Sequence, residues 1–363
     1  MWEKRRTVAA AVQAVFWVLL PFVRVDGVRL FAFDLDGNRI HLLGKVLWFG
    51  EFYFFLFLSI AVISFFIAIT AVLGRVWCGW VCPQTMIPLI ASKAGRLFPG
   101  RNERTKRAVI LIPVTAVVTA LLFLLFVEPG AFLPLLARSR TALLLFGMTW
   151  LVIYADLAFW GPRFCATVCP YSILQEVLFD EETLVVEYDR SRHPCLLCGA
   201  CERVCPTGID IKNGLQRECI ACASCIDACS RVTEKKNIPP FISYRGRVWR
   251  KKAGVLTSLW VLATAVFIVS HLSRPDFLFT VARKGETAGG APVFEYSLRN
   301  GTPRKIKFRI TSPGSRLLGQ TEGGLSPYGA ASGTFVAGGG EGRGVTIILE
   351  AEGRKIVRHL EES

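Results

Sequence analysis

Histidine and methionine are scarce: His41, His193, His271 and His359 are the only imidazoles in 363 residues, and Met1, Met86 and Met148 the only thioethers. That excludes a His- or Met-rich copper cluster. No C-x-x-C-H occurs, so the attachment signature of a c-type haem is missing. Cysteine is absent beyond Cys229, which argues against a disulfide-stapled exported domain at the C-terminal end. Acidic residues are in deficit, 28 against 43 Lys and Arg, for a net charge of +15. The basic excess forms no aromatic-interleaved patch, so nucleic acid is not the partner it points to. No small-residue cleavage site follows the apolar stretch 7–23, and that stretch is read as a membrane span, not a removed signal peptide.

Apolar residues are plentiful, at 52% of the chain with a mean hydropathy of +0.43. A soluble protein with a polar shell has less. Five spans are expected, at 7–23, 46–73, 108–127, 141–160 and 253–270. The second, broken only by Glu51, is longer than a hydrocarbon core of about 30 Å requires, and Trp48, Phe52 and Tyr53 stand where an aromatic belt would. Between the first two spans lies a polar excursion, 24–45, with Asp26, Asp34 and Asp36. Basic residues gather at one side: Lys4, Arg5 and Arg6; then Lys93, Arg96, Arg101, Arg104, Lys106 and Arg107; then Arg245, Arg247, Arg250, Lys251 and Lys252. By the positive-inside rule that side is cytoplasmic, and the excursion and the C-terminal region lie across the membrane.

The most informative stretch carries Cys195, Cys198, Cys201 and Cys205, then Cys219, Cys222, Cys225 and Cys229. Each set reads C-x2-C-x2-C-x3-C, the ligand run of bacterial two-cluster ferredoxins, in which the fourth cysteine of each run reaches the other cluster. Cys195, Cys198, Cys201 and Cys229 are thus assigned to one [4Fe-4S] cluster, and Cys219, Cys222, Cys225 and Cys205 to a second. Zinc knuckles use separated C-x2-C pairs and do not fit. Ile209, Ile211, Ile220 and Ile226 are expected to wall the clusters, with Arg203, Arg217, Arg231, Lys235 and Lys236 facing water. His193, two residues before Cys195, is a weaker candidate donor to a cluster sulfide.

A second cysteine pattern ends the returning spans: Cys78 and Cys82 before Pro83, and Cys165 and Cys169 before Pro170. Cysteines four apart share a helical face, and two such pairs at one membrane depth make a four-sulfur site. Iron, an iron–sulfur cluster or Cu(I) would suit it; buried packing thiols are the plainer alternative. Asp156, one turn inside the fourth span, is a further candidate, with pairing to a basic group as its simplest role. The region 271–363 alternates short apolar runs at 293–298, 305–310 and 345–349 with glycine-rich turns, the pattern of an antiparallel β-sandwich.

Together these residues resemble the cytochrome c oxidase accessory proteins known as CcoG, FixG or RdxA. The resemblance rests on GRVWCGWVCPQT at 74–85, RFCATVCPYSILQ at 163–175, LFDEETLVVEYD at 178–189, CPTGIDIKNGLQRECIACASCIDAC at 205–229 and the short ISY at 242–244. It implies an α-helical membrane protein with five transmembrane helices, an inserted dicluster ferredoxin-like domain and a C-terminal immunoglobulin-like β-sandwich. The implied divisions are a four-helix region 1–161, a cytoplasmic segment 162–252 with its cluster core at 190–235, a fifth helix 253–270 and a periplasmic domain 271–363. The implied location is the bacterial inner membrane, with copper chaperones or oxidase assembly proteins as partners. The implied role is assembly of a cbb-type oxidase by reduction of Cu(II) to Cu(I), with copper or a further iron site at Cys78, Cys82, Cys165 and Cys169. Departures from the family pattern are Arg192, His193 and Pro194 before the clusters, Ser230 after the second run, and a compact basic loop after Cys82. A quinol-linked subunit of a nitrate- or nitrous-oxide-reductase system and a non-catalytic assembly scaffold are the competing readings.

Overall fold

The computed structural model of the chain describes residues 1–25, 27–35, 37–95, 102–161, 164–189, 195–287, 291–313, 315–338 and 345–360. Asp26, Asp36, Arg96, Arg101, Arg163, Arg192, His193 and Pro194, singled out above, lie outside the described residues, as does the side chain of Arg104. Two compact units form. One is Met1–Phe22 with Phe52–Ser270, the other Val23–Glu51 with His271–Ser363.

The helices are α1 (Trp2–Leu19), α2 (Phe52–Leu73), α3 (Val76–Trp80), α4 (Pro83–Gly95), α5 (Glu103–Leu124), α6 (Pro129–Arg138), α7 (Arg140–Ala155), α8 (Phe164–Thr167), α9 (Pro170–Leu178), α10 (Ala200–Arg203), α11 (Ser224–Glu234) and α12 (Lys251–Leu272). The strands are β1 (Arg24–Val25), β2 (Val28–Arg29), β3 (Phe31–Asp34), β4 (Arg39–Leu42), β5 (Lys45–Trp48), β6 (Val185–Tyr188), β7 (Ile242–Arg245), β8 (Phe277–Glu286), β9 (Pro292–Asn300), β10 (Ile306–Thr311), β11 (Arg316–Gly319), β12 (Glu322–Leu325), β13 (Ala330–Gly338), β14 (Val345–Ala351) and β15 (Arg354–Leu360).

Among the described residues four helical segments are long and apolar enough to cross a membrane: Phe52–Leu73, Thr105–Leu124, Arg140–Trp160 and Lys251–Leu272. The expected first span is not one of them, because α1 begins at Trp2 and takes Glu3, Lys4, Arg5 and Arg6 into its first turns. The expected second span is shortened. Val46, Leu47 and Trp48 are buried in β5, which pairs with β4, and the helix starts only at Phe52. Trp48 is therefore a core residue and not part of an aromatic belt. In the first unit α2 meets α12 through Phe54 on Phe267 (centroids 4.9 Å apart) and Phe65 on Trp260 (5.5 Å). Ala91, Leu111 and Leu157 form a buried cluster that joins α4, α5 and the turn after α7.

The segment between α9 and α12 is pinned at both ends by one antiparallel pair, β6 with β7. Between them, Val186, Ile209, Ile211, Ile226 and Ile242 build a buried core around the cysteine loops. That core also anchors α1. The backbone N–H groups of Trp2 and Glu3, which a first helical turn leaves without partners, donate to Asp227 of α11 at 3.0 and 2.6 Å. Trp2 packs edge-on against Trp80 and Tyr244.

In the second unit two four-stranded antiparallel sheets, ordered β12-β10-β14-β15 and β11-β13-β9-β8, bury one face each. Phe279, Tyr296, Leu298 and Phe335 of one sheet and Ile306, Phe308, Ile347 and Leu349 of the other belong to a single hydrophobic cluster. The excursion adds its own sheet, β3-β4-β5, whose Val46 and Trp48 share a smaller cluster with Leu278 and Tyr328. Arg274 ties the two segments together. Its guanidinium pairs with the buried Glu51 carboxylate, donates to the Val46 carbonyl and lies 5.0 Å from the Trp48 ring centroid.

Arg274→Met leaves Glu51 buried without its cation and is expected to destabilise this unit by about 3 kcal/mol. The double variant Arg274→Met with Glu51→Leu should recover most of that loss; thermal unfolding of the full chain in detergent measures both. Asp227→Ala removes a cap from α1 and should cost about 1–2 kcal/mol of docking, read as faster hydrogen exchange over residues 2–7. Burial pushes the Asp227 carboxyl up, but the N–H groups of Glu3 and Trp2 outweigh it and hold its pKa below the usual 3.8. The docking contribution is accordingly complete above pH 3.8 and lost as pH falls through the lowered value, which exchange measured across an acid series will show.

Candidate metal centres

The two four-cysteine runs fold alike. Leu197 and Ala221 hold equivalent places in the two loops and both are left-handed, with φ of 52° and 49°. Gly199 and Ala223 repeat the match at 63° and 61°. The backbone N–H groups of Glu202, Ala221 and Ile226 bond inward to Cys201, Cys219 and Cys225, a surround suited to sulfide and thiolate charge. Cys205, Cys219, Cys222 and Cys225 line one small cavity, which Cys201 also borders. Cys195, Cys198, Cys201 and Cys229 line the next. The fourth cysteine of each run thus faces the cavity of the other, and the thiol donor set with its inward N–H groups fits an iron–sulfur cluster in each. Cys198, in the cavity of the first run, is exposed, while Cys219 and Cys222, in the cavity of the second, are buried. Ile209, Ile211 and Ile220 wall the second cavity; Ile226 lies in the surrounding core. Arg203, Arg217, Arg231, Lys235 and Lys236 are all exposed.

The other four cysteines come together from segments far apart in sequence. Cys78, Cys82, Cys165 and Cys169 line one cavity of about 780 Å³. The segments that carry them are structural repeats. Gly74, at a positive φ of 58°, ends α2 four residues before Cys78, and Gly161, at a positive φ of 48°, ends the turn after α7 four residues before Cys165. Cys82 N–H donates to Trp77 O and Cys169 N–H to Phe164 O, each at 3.1 Å. The hydroxyls of Thr85 and Ser172 close the same turn on the Cys82 and Cys169 carbonyls, at 3.0 and 2.8 Å. Among the described residues no three His, Cys, Asp or Glu side chains close on a single ion.

Burial pushes the Cys78 thiol up to about 11 and the Cys165 thiol up to about 12, and raises Cys82 as well. In the dicluster segment burial takes Cys219 to about 11 and also raises Cys201, Cys225 and Cys229. These thiols are neutral near pH 7 in the metal-free chain, so a bound metal displaces their protons.

Several residues that sequence reasoning passed over complete the site. Gly79, between Cys78 and Cys82, packs on the second cluster loop: a Cβ there would lie 2.4 Å from the Ile220 carbonyl oxygen and 2.9 Å from Cys222 Cα. Arg75 is buried, donates to Ser172 O at 3.0 Å, pairs with Glu176 at 3.6 Å and acts electrostatically on both Cys78 and Cys219. The Gln175 amide lies against Cys78 Sγ, with contacts of 3.4 and 3.5 Å. Tyr244, from the ISY tripeptide, donates to Ala221 O at 2.6 Å and receives Trp80 Nε1 at 3.4 Å. A glycine between two cysteines and an arginine just before them were visible signals, though their partners were not. Asp156 opens the π-helical turn Asp156–Trp160 with Oδ1 buried and without a hydrogen-bond partner among the described residues, while nearby Arg107 donates to the Leu157 carbonyl. His271 offers its carbonyl to Lys45, and His359 shares a hydrogen bond with Thr346; both stand in the second unit, apart from the cysteine sites in sequence.

Families described as "4Fe-4S dicluster domain" match residues 190–247 and 160–209, and one described as "4Fe-4S binding domain" matches 54–101. Protein RdxA of Cereibacter sphaeroides is 28% identical over 84% of this chain and 78% of its own length. The nitrogen fixation protein FixG of Rhizobium meliloti is 30% identical over 60% of this chain and 50% of its own. The chain is a homologue of RdxA and FixG. This RdxA/FixG homologue spans about half the length of FixG. It is also similar to the ferredoxin-type protein NapH of Escherichia coli, 27% identical over 43% of this chain and 59% of NapH. With its apolar helices and cluster-binding segments it is a membrane iron–sulfur electron-transfer protein.

Arg75→Leu removes a cation that acts on both Cys78 and Cys219. Adding an electron beside a site that has lost a positive charge is harder, so the potential of the centre at Cys219, Cys222, Cys225 and Cys205 should fall by on the order of tens of millivolts. Potentiometric titration followed by electron paramagnetic resonance checks the direction; an unchanged potential means that solvent screens the charge.

Proposed function

We propose that the chain delivers single electrons from its dicluster segment to Cu(II), producing Cu(I) for assembly of a cbb-type cytochrome c oxidase. The observation that carries this reading is the ordered series of thiol sites. It runs from the exposed Cys198, through the buried Cys219 and Cys222, to the cavity of Cys78, Cys82, Cys165 and Cys169. Copper enters through the resemblance to the oxidase accessory family. In this reading Cys195, Cys198, Cys201 and Cys229 hold one [4Fe-4S] cluster and Cys219, Cys222, Cys225 and Cys205 the other. Each cluster supplies one-electron chemistry. What the protein's own residues contribute is exclusion of water by Ile209, Ile211 and Ile220, and a fixed positive charge from Arg75. One electron leaves the chain for each Cu(II) reduced, and the electron donor is a separate molecule.

The topology proposed with it has α1 as a fifth span, the amino terminus and cysteines at the cytoplasmic face, and an immunoglobulin-like 271–363 in the periplasm of a bacterial inner membrane. The divisions are those at 1–161, 162–252, 253–270 and 271–363. Two observations support it: the basic residues flank the cysteine-bearing side, and the excursion folds with the C-terminal sheets in one unit. Copper chaperones or oxidase assembly proteins are the partners this reading requires. A second reading, oxidation of a quinol for a reductase system, is favoured by the similarity to NapH and by the apolar wall that Phe16, Trp17, Ile63 and Leu174 give the large cavity.

Protein purified and reduced under anaerobic conditions should be reoxidised by Cu(II), with one Cu(I) formed per electron lost. Cys82→Ser and Cys169→Ser should each abolish this without altering the visible spectrum of the dicluster segment. Reoxidation by a quinone and not by Cu(II) would establish the second reading, and reoxidation by neither would leave an assembly scaffold. An export-dependent reporter fused after residue 363 should be active, and the same reporter fused near Asn213 silent.

A further inference from the structure

We propose that Cys78, Cys82, Cys165 and Cys169 together hold a third iron–sulfur cluster, in backbone contact through Gly79 with the loop of Cys219 and Cys222. This deepens the electron-transfer reading above and identifies what the membrane-edge cysteines bind.

The matched family segments do not by themselves assemble such a site. The 4Fe-4S segment at 54–101 contains only Cys78 and Cys82, two ligands where a cubane takes four. The dicluster segment at 160–209 groups Cys165 and Cys169 with the first ferredoxin run. The fold divides them differently: Cys165 and Cys169 face the cavity of Cys78 and Cys82, while the cavity of the first run is lined by Cys195, Cys198, Cys201 and Cys229. Two short segments with a positive-φ glycine at the same place, the same turn hydrogen bonds and the same Cys-x3-Cys-Pro sequence present their sulfurs to one space. Together they supply the four thiolates that a [4Fe-4S] cluster takes.

An all-thiolate set of four suits zinc, a single iron, Cu(I) or an iron–sulfur cluster. Zinc has no redox chemistry and would stop an electron at this point. The four sulfurs do not close on a single ion, and the cavity of about 780 Å³ has room for a larger group.

Gly79 gives the site its neighbour. With a Cβ 2.4 Å from Ile220 O and 3.0 Å from Cys222 N, only glycine lets α3 lie directly on the loop that carries Cys219 and Cys222. The equivalent place in the second repeat is Ala166. The glycine thus stands in the repeat whose backbone lies against the Cys222 loop, and Gly79 is a positioning residue. One electron lost by the centre at Cys219 and Cys222 is one electron gained by the centre at Cys78 and Cys165, with no atom or proton transferred.

The test is the iron and acid-labile sulfide content of the full chain, purified without oxygen, together with its Mössbauer spectrum. Wild type should hold about twelve irons, and Cys82→Ser and Cys169→Ser should each fall to about eight by losing the same spectral component. That shared loss from both repeats is the decisive result, and it does not depend on any copper or quinone assay. About eight irons in wild type, stoichiometric copper or zinc on these thiols, or loss of the Cys195 centre in Cys169→Ser would each overturn the proposal. Should either serine variant fail to fold, the wild-type count decides. Gly79→Ala should keep about twelve irons and weaken the magnetic interaction between centres in the reduced protein; an unchanged interaction would overturn its role as the contact.

Discussion

A close backbone contact joins the two kinds of cysteine site. The peptide at Gly79 rests on the loop Ile220 to Cys222 so closely that a Cβ would strike the Ile220 carbonyl oxygen. Much of the first unit serves that contact. The pair β6 with β7 closes the dicluster segment at its base, Tyr244 from β7 fixes the Ala221 carbonyl, and Trp80, one residue beyond Gly79, reaches the same hydroxyl. Asp227 draws the start of α1 onto the helix that carries Cys225 and Cys229.

Burial does chemical work here beyond packing. Thiols withdrawn from water hold their protons, which keeps empty sites neutral and makes metal loading a proton-releasing event. The same dry surroundings give one buried cation long reach. Arg75 acts on Cys78 and on Cys219 because little solvent lies between them. In the second unit the logic is different: Arg274 and Glu51 are buried as a pair, and the aromatic face of Trp48 beneath the guanidinium offsets part of its lost hydration.

The ferredoxin runs were fully legible, because a cluster site made of closely spaced thiolates is written into local spacing. Three apolar spans, at 108–127, 141–160 and 253–270, were read close to their helices, and the runs at 293–298, 305–310 and 345–349 became β9, β10 and β14. The second span was read too long. Val46, Leu47 and Trp48 are as apolar as the helix that follows, and hydropathy alone cannot tell a buried edge of a small sheet from a membrane segment. The excursion was read as a polar loop for a related reason: its core is shared with Leu278 and Tyr328, residues that no local pattern connects to it.

What the sequence determined by itself was therefore everything that depends on neighbours along the chain: the two cysteine runs, the Cys-x3-Cys-Pro pairs, the apolar helices and the alternating strands. The tertiary structure decided which elements meet. It set Cys165 and Cys169 beside Cys78 and Cys82, gave Gly79 its close approach to Cys222, and joined residues 23–51 to the C-terminal sheets. The physical reason is range. Helical and strand periodicity, turn conformation and ligand spacing are local properties of a few residues, whereas a shared cavity or a forbidden Cβ exists only after chain segments far apart in sequence have packed together.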